Sequence, residues 1–169
     1  MKVNFKILLL AVLLVVIILV DQWTKHLVHT QFNWGESKSI ISGFFDLTYV
    51  RNQGAAFGLF HQAPPAFRDP FFVAVPVIAI FVILFLIFKM VSDSLWSVIA
   101  LSLILAGAIG NLIDRLRFGY VIDFLDFHWR EIYHWPAFNV ADSSIVVGVC
   151  LWFILSFKEP QAKSAKPKA

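Results

Sequence analysis

Residues 121–144, VIDFLDFHWREIYHWPAFNVADSS, contain two aspartates in apolar surroundings. Asp123 lies within Val-Ile-Asp-Phe, and Asp142 comes just before an apolar run over residues 145–157. A carboxylate in or near lipid costs several kcal/mol unless it faces water or a partner, so acids in such positions are commonly functional. The two aspartates are 19 residues apart. We expect each at the mouth of a membrane helix, at the same depth, where they would share one site.

The composition excludes a soluble globular protein. Hydrophobic residues make up 59% of the 169 residues, and the mean hydropathy is +0.77. Charged residues make up 15%, whereas soluble proteins have about 25%. The net charge of +3 comes partly from the C-terminal tail and does not indicate a nucleic-acid partner. The single cysteine excludes an internal disulfide and a multi-cysteine metal site.

Four apolar stretches predict transmembrane helices over about residues 5–24, 71–88, 95–113 and 140–157, since a helix needs about 20 apolar residues to cross the hydrocarbon core. The first stretch follows two lysines as a signal peptide would, but no small-residue cleavage site comes after it, so we expect an uncleaved span. The spans form a single membrane domain over residues 1–157. Residues 158–169 form a basic tail that is predicted to be disordered and cytoplasmic.

The distribution of lysine and arginine predicts that both termini are cytoplasmic. With four spans, both termini lie on the same side of the membrane. That side has seven lysines within about 25 residues. The other side also has seven cations, but they are spread over about three times that length. The denser side is expected to be the cytoplasmic one. Residues 26–70 and 114–139 are then extracytoplasmic, and both aspartates lie at the outer face of the membrane.

The first outer segment predicts a small β-sheet on the membrane surface. Alternation over residues 45–51 places Phe45, Leu47 and Tyr49 on one face, as in a strand, and residues 39–42 are a weaker candidate for its partner. The predicted fold class is an all-α integral membrane protein with four transmembrane helices. It also has a small extracytoplasmic β-sheet and a loop or helix segment between helices 3 and 4.

The two aspartates would permit amide hydrolysis without a metal or a covalent intermediate. Two carboxyls about 3 Å apart cannot both ionise, so they hold one proton between them. The charged carboxyl can then take a proton from water while the neutral one donates a hydrogen bond to the scissile carbonyl. The residues leave an alternative open, in which Asp142 is the N-cap of the last helix and Asp123 is a surface acid.

Two further acids have to be weighed against this pair. Asp126 lies three residues past Asp123 and could take its place as the reacting acid. Asp114 is expected to form an ion pair with Arg115 or Arg117 rather than to react.

Several polar residues could support the site. Asp21 and Lys25 are four residues apart on one helix face, so they form either a simple ion pair at the membrane boundary or a support beneath the site. Three asparagines near outer helix ends or loops are interpreted as backbone braces more readily than as substrate contacts: Asn52, Asn111 and Asn139.

Histidines recur in the second outer segment. His128, Glu131 and His134 are spaced three apart, but the His-Glu-x-x-His pattern of zinc enzymes is missing. The aromatic residues among them fit a belt at the membrane interface better: Trp129, Tyr133 and Trp135. We therefore expect no metal and no other cofactor.

Five motifs, taken in order, resemble those of the lipoprotein signal peptidases, the bacterial signal peptidase II family. They are DQWTK at 21–25, RNQGAAF at 51–57, GAIGNLIDR at 107–115, VIDF at 121–124 and FNVADS at 138–143. They span most of the chain. The departures are conservative: Ala106, Ile109 and Ile122 stand where the family often has glycine, leucine and valine.

The resemblance implies an aspartyl endopeptidase of the bacterial inner membrane. It would remove the signal peptide of prolipoproteins, cutting just before a cysteine that already carries diacylglycerol. Asp123 and Asp142 would be the catalytic pair. The residues that would line or support the site are Asp21, Lys25, Asn52, Gly54, Asn111, Asp114, Arg115 and Asn139. Its partners would be diacylglyceryl-prolipoprotein substrates and membrane lipids, and we expect a monomer.

Two other functions compete with this one. A small proton-coupled transporter or channel subunit would use intramembrane acids to relay protons, and a membrane assembly factor would have no reacting acids at all. A transporter predicts acids near the middle of the bilayer and repeat symmetry between halves. Here the acids cluster at one face, and no repeat is visible.

Overall fold

The computed structural model describes residues 3–54, 64–90 and 94–158. The helices are α1 (Val3–Gln31), α2 (Pro65–Met90), α3 (Leu95–Phe118) and α4 (Val140–Lys158). The strands are β1 (Ser37–Ile41), β2 (Phe45–Asn52), β3 (Val121–Trp129) and β4 (Tyr133–His134), and they form an antiparallel sheet in the order β1-β2-β3-β4. Each helix contains a stretch that is long and apolar enough to cross a membrane. The predicted membrane protein with four spans and a small β-sheet is confirmed.

Three of the helices extend several residues beyond the apolar stretches that predict them, and α4 extends by a single residue. α1 continues to Gln31 because its polar residues have protein partners: Lys25 pairs with Asp21 at 2.9 Å, and His29 Nδ1 lies 2.6 Å from the Tyr49 hydroxyl. α2 already begins at Pro65, since proline is tolerated in the first turn of a helix. α3 runs to Phe118 before a glycine ends it. The outer segments are correspondingly shorter than predicted.

α3 is the central helix of the bundle and contacts the other three. Its Leu101 and Leu105 side chains are fully buried in the apolar core between the helices. A Cβ at Gly107 would collide with the Ala141 carbonyl and the Ile145 side chain of α4, so only glycine permits this close approach. The small residues in the middle of α3 therefore set the position of α4, as in other membrane helix pairs.

The sheet packs on the ends of α1 and α3. Tyr49, Ile122 and Phe124 form a buried cluster with Val28 of α1. The strand predicted over residues 45–51 is confirmed as β2, and the weaker candidate over residues 39–42 overlaps β1.

The segment between α3 and α4 corrects the sequence prediction. It is mainly strand β3, followed by a short 3₁₀ turn and β4, and not a loop or helix. Asp123 therefore lies on a strand rather than at the mouth of a helix. This strand is not recognisable from the sequence pattern because the first four residues of β3 are buried on both faces. Such a strand has no alternation of polar and apolar residues.

Candidate active site

Asp142 lies in the first turn of α4, where a reciprocal capping arrangement with Asn139 fixes it. Asn139 Oδ1 accepts a hydrogen bond from the Asp142 N–H at 2.9 Å, and Asp142 Oδ2 accepts one from the Asn139 N–H at 3.3 Å. Two backbone donors of the helix start are satisfied in this way. A negative charge on Asp142 also lies at the positive end of the helix dipole. Asn139, rather than Asp142, is therefore the capping residue.

Asp123 lies on β3 and is only 1% exposed. Its Oδ1 accepts a hydrogen bond from Asn139 Nδ2 at 2.7 Å, and its Oδ2 accepts one from Asn52 Nδ2 at 2.9 Å. Burial and then the nearby charge of Asp142 raise the pKa of Asp123 to about 7, although both amide hydrogen bonds oppose the rise. A substantial fraction of Asp123 is therefore neutral near physiological pH.

Two asparagines join the two carboxyls. Asn111 Nδ2 donates to Asp142 Oδ1 at 2.7 Å, while Asn111 Oδ1 accepts from Lys25 Nζ at 2.9 Å and from Asn139 Nδ2 at 3.2 Å. Because an ammonium group can only donate, Lys25 fixes the orientation of the Asn111 amide with its NH₂ toward Asp142. Asn111 and Asn139 thus form a hydrogen-bonded bridge between Asp123 and Asp142. The hydrogen bonds given for the Asn111 side chain are to other side chains, whereas the Asn139 side chain also bonds the backbone of Ile122 and Asp142; a role as backbone braces stays a prediction.

A buried ion cluster lies behind this bridge. Lys25 Nζ is 2.9 Å from Asp21 Oδ2 and 3.0 Å from Asp114 Oδ2, and all three side chains are almost completely buried. Asp21 Oδ1 accepts from the Ala141 N–H of α4 at 2.8 Å, and Asp114 Oδ2 accepts from the Ile122 N–H of β3 at 3.1 Å. The cluster therefore ties the start of α4 and the start of β3, the two elements that bear the aspartates, to the ends of α1 and α3. Of the two interpretations of the Asp21–Lys25 pair, the contacts favour the support beneath the site.

The expected pairing of Asp114 with Arg115 or Arg117 is wrong, since Asp114 pairs with Lys25. Consecutive residues of a helix point in different directions, so Asp114 faces the bundle while Arg115 turns away. The Arg115 guanidinium lies 5.6 Å from the centre of the Phe72 ring, and Arg115 lines the same cavity as Asp123 and Asp142.

Both aspartates open onto a cavity of about 600 Å³. One wall is polar and is formed by Asn52, Arg115, Asp123 and Asp142, with Gly54 beside them. The Gly54 N–H donates to Asn52 Oδ1 at 3.0 Å. The apolar wall comprises Trp135, Pro136, Ala137, Phe138, Ile145, Val146 and Val147, and Ser143 also lines the cavity. Residues 55–57 of the RNQGAAF motif lie outside the described residues.

Asp126 is separated from the cavity by the geometry of β3. It lies three residues from Asp123, and an odd separation places the two side chains on opposite faces of a strand. Asp126 Oδ1 lies 3.3 Å from His134 Nδ1, and the His134 ring stacks on His128 with a centroid distance of 4.8 Å. Across residues 3–54, 64–90 and 94–158, no group of three metal-ligating side chains converges. The side chain of Glu131 is not among those described.

Sequence reasoning missed Gln22 and Arg51. Gln22 Nε2 donates to Asp114 Oδ1 at 2.9 Å and so belongs to the buried ion cluster. Its polar amide inside an apolar helix was a signal that could have identified it. Arg51 lies among aromatic rings beside Asn52. No spacing rule identifies such a cluster, because its rings come from separate parts of the chain.

The fold and the site define a multi-pass membrane protein in which two acids, the buried Asp123 and the half-buried Asp142, line one cavity. The family described as signal peptidase (SPase) II matches residues 13–158. The chain is 49% identical over 148 residues to a lipoprotein signal peptidase of Syntrophus aciditrophicus (strain SB), covering 88% of this chain and 91% of that relative. It is 47% identical over 156 residues to a lipoprotein signal peptidase of Syntrophotalea carbinolica (strain DSM 2380 / NBRC 103641 / GraBd1), covering 92% and 94%.

A similar solved structure is that of a bacterial membrane enzyme determined by the in meso method at 2.3 Å resolution. It matches with a TM-score of 0.78 and 33% identity, covering 95% of this chain and 94% of that one. The chain belongs to the signal peptidase II family.

Proposed function

We propose that this protein removes the signal peptide from diacylglyceryl-modified prolipoproteins by an aspartic mechanism, with Asp123 and Asp142 as the reacting acids. Its family and its relatives, which are named lipoprotein signal peptidase, make it a peptidase that acts on lipoprotein precursors. The observation that carries the aspartic mechanism is the asparagine bridge, which holds both carboxyls at one wall of the cavity.

The surroundings of the two carboxyls support different roles for them. Asp142 is half-buried at the start of α4, where the helix dipole favours a charged carboxylate. Asp123 is buried on β3, and its pKa is raised to about 7 by burial and by the charge of Asp142. A carboxyl that is held neutral can act as the acid, and a second carboxyl beside it can act as the base. Asp142 is therefore the base and Asp123 the acid.

The reaction then proceeds without a covalent intermediate. Asp142 takes a proton from a water molecule, whose oxygen attacks the scissile carbonyl carbon, while Asp123 gives its proton to the carbonyl oxygen. The resulting tetrahedral diol collapses when the C–N bond breaks. The leaving nitrogen takes the proton from Asp142, and one diol hydroxyl returns a proton to Asp123. Both carboxyls end in their starting states.

The apolar wall supports a lipid-bearing substrate. Val146 and Val147 of α4 are 60% and 56% exposed, so this wall is continuous with the lipid-facing surface of the bundle. Acyl chains could enter along it from the membrane, with the peptide bond held at the polar wall. Diacylglycerol on the cysteine after the cleavage site would then contribute apolar contact area that an unmodified cysteine lacks.

The localisation that accompanies this function is the bacterial inner membrane, with both termini in the cytoplasm and the cavity at the outer face. The cation distribution supports this orientation. Reporter fusions after Lys89 and after Lys158 test it, and an external signal at either position would contradict it. We propose that the monomer is the functional unit, since one chain contains the complete pair of acids.

The transporter or channel hypothesis finds no support among the relatives, which are named lipoprotein signal peptidase. The experiment that separates the functions uses purified protein in detergent with two versions of one precursor, one diacylglyceryl-modified and one unmodified. Mass spectrometry should find the lipidated precursor cut just before its modified cysteine and the unmodified precursor intact. If neither precursor is cut, or if both are cut equally, the proposed substrate is contradicted.

A further inference from the structure

Arg51 occupies an aromatic cage on the sheet. Its guanidinium carbon lies 5.2 Å from the ring centre of Trp34, 5.3 Å from that of Tyr49 and 5.0 Å from that of Tyr120. Its Nε also donates to the Tyr49 hydroxyl at 3.1 Å. A planar guanidinium can stack on several rings and donate in its own plane at the same time, which an ammonium group cannot do.

The cage joins separate elements of the fold. Tyr49 is only 1% exposed, and its hydroxyl lies 2.6 Å from His29 Nδ1 of α1 and 3.3 Å from the Tyr120 hydroxyl, which follows α3. Burial and the bond with Tyr49 raise the pKa of Tyr120 to about 12, so its hydroxyl keeps its proton over the range of an enzyme assay. Besides Tyr49 of its own strand, the arginine therefore contacts two residues that lie outside the strands, Trp34 and Tyr120.

Asn52 follows Arg51 and is the last residue of β2. Successive side chains of a strand point to opposite faces, so Arg51 turns toward the cage while Asn52 turns toward the cavity. Asn52 donates to Asp123 at 2.9 Å. Its pairing with Val121 is the last one between β2 and β3, so no further ladder holds this end of the strand.

We propose that Arg51 is a positioning residue for the reaction: its guanidinium, locked between Trp34, Tyr49 and Tyr120, holds the end of β2 so that Asn52 keeps its hydrogen bond to Asp123. This inference rests on the proposed function, because Asp123 is the group that it serves. Arg51 itself faces away from the substrate and acts only through Asn52.

The hydrogen bond from Asn52 stabilises the charged form of Asp123 and so lowers the pKa of that carboxyl. When the end of β2 loosens, that pKa rises further. The reaction needs Asp123 protonated, so the alkaline limb of the pH–rate profile shifts to higher pH. A role limited to general stability would lower the amount of folded enzyme without moving this limb.

The test compares Arg51→Met with Arg117→Met, a matched control whose guanidinium also lies over a ring, that of Phe118 at 5.1 Å. In cleavage of the lipidated precursor, Arg51→Met should lower kcat/KM about tenfold, as expected when a group that orients a reacting residue is lost. The alkaline limb of the pH–rate profile of Arg51→Met should move to higher pH. Arg117→Met should leave both quantities unchanged.

A double variant tests whether Arg51 acts through Asn52. If it does, Arg51→Met combined with Asn52→Ala should be no worse than Asn52→Ala alone, within about twofold. The inference is overturned if the losses of kcat/KM multiply in the double variant. It is also overturned if the alkaline limb stays in place in Arg51→Met. If Arg51→Met does not fold in detergent, Tyr49→Phe removes only the hydroxyl and should produce a smaller shift in the same direction. An unmoved limb in that variant would also overturn it.

The proposed function and this inference fail in different ways. Wild-type protein that leaves the lipidated precursor intact contradicts the proposed function. Wild-type protein that cuts it, with Arg51→Met and Arg117→Met indistinguishable, contradicts only the role of Arg51.

Discussion

Asp123 and Asp126 lie on the same strand, three residues apart, yet their surroundings differ. Asp123 is 1% exposed and accepts hydrogen bonds from two asparagines, whereas the Asp126 side chain is 18% exposed and has His134 as its partner. The pKa of Asp123 is raised to about 7. Although the two acids belong to the same stretch of sequence, they lie on opposite faces of the strand, and only the face of Asp123 lines the cavity.

The largest expected effect is the loss of either acid of the pair. Asp123→Asn and Asp142→Asn keep the side-chain size but cannot exchange a proton, so each should lower the rate of cleavage of the lipidated precursor at least about a thousandfold. The double variant should be little worse than either single one, because groups that act as a unit are not additive. Substantial cleavage by either single variant would break the comparison.

The next largest effect concerns stability. Lys25→Met leaves Asp21 and Asp114 buried without their cation, which should cost about 3–5 kcal/mol of unfolding free energy. Arg68→Met is the matched control, since its partner Asp69 is 52% exposed and such a pair contributes about 1 kcal/mol or less. Denaturation in detergent measures both. Equal losses in the two variants would show that the ion cluster does not brace the site.

A smaller effect is expected from Asn52→Ala, which removes one of the two amide donors of Asp123. The four helices should still form, and kcat should fall about tenfold to a hundredfold because the acid is less well oriented. Circular dichroism in detergent checks the helices, and cleavage kinetics check the rate. Unchanged turnover would show that Asn52 does not support the site.

The pH dependence sharpens the comparison further. The pKa of Asp123 is raised to about 7, so its neutral form is lost as the pH rises through this value. Cleavage should therefore fall on the alkaline side of about pH 7, and at lower pH it should fall again as the pair takes up a second proton. The apparent pKa values belong to the pair. A rate that stays constant well above neutral pH would contradict the role of Asp123 as the acid.

The smallest effect is expected from Asp126→Asn. This variant loses only its contact with His134 on the other face of β3, so its kcat/KM should stay within about twofold of wild type. The same cleavage assay checks it. A loss of kcat/KM comparable to that of Asp123→Asn would contradict the assignment of Asp123, rather than Asp126, to the cavity.

Much of the fold could be predicted from local patterns in the sequence. Apolar stretches identified all four helices, and alternation over residues 45–51 identified β2. β3 was missed because its first four residues are buried on both faces. The partner of Asp114 was missed because Lys25 is far away in sequence and only the packing of α1 against α3 brings them together.

The candidate site shows the same limit. The motifs contain Asn111, Asn139 and both aspartates, but their order along the chain does not reveal the bridge that joins them. The predicted span and α4 both begin at residue 140, yet the sequence suggested Asp142 as the capping residue, and only the hydrogen bonds identify Asn139. Residue types can be recognised from the sequence, whereas hydrogen-bond partners depend on the way in which distant elements pack.

The central claim is that Asp123 is the acid of the pair that holds a proton below about pH 7. The most direct test is an infrared titration of the purified protein, which detects the carbonyl band of a protonated, buried carboxyl. We predict a band in wild type and in Asp126→Asn that disappears as the pH rises through about 7, and no such band in Asp123→Asn. A band that persists in Asp123→Asn, or that is missing from wild type below neutral pH, would contradict the account.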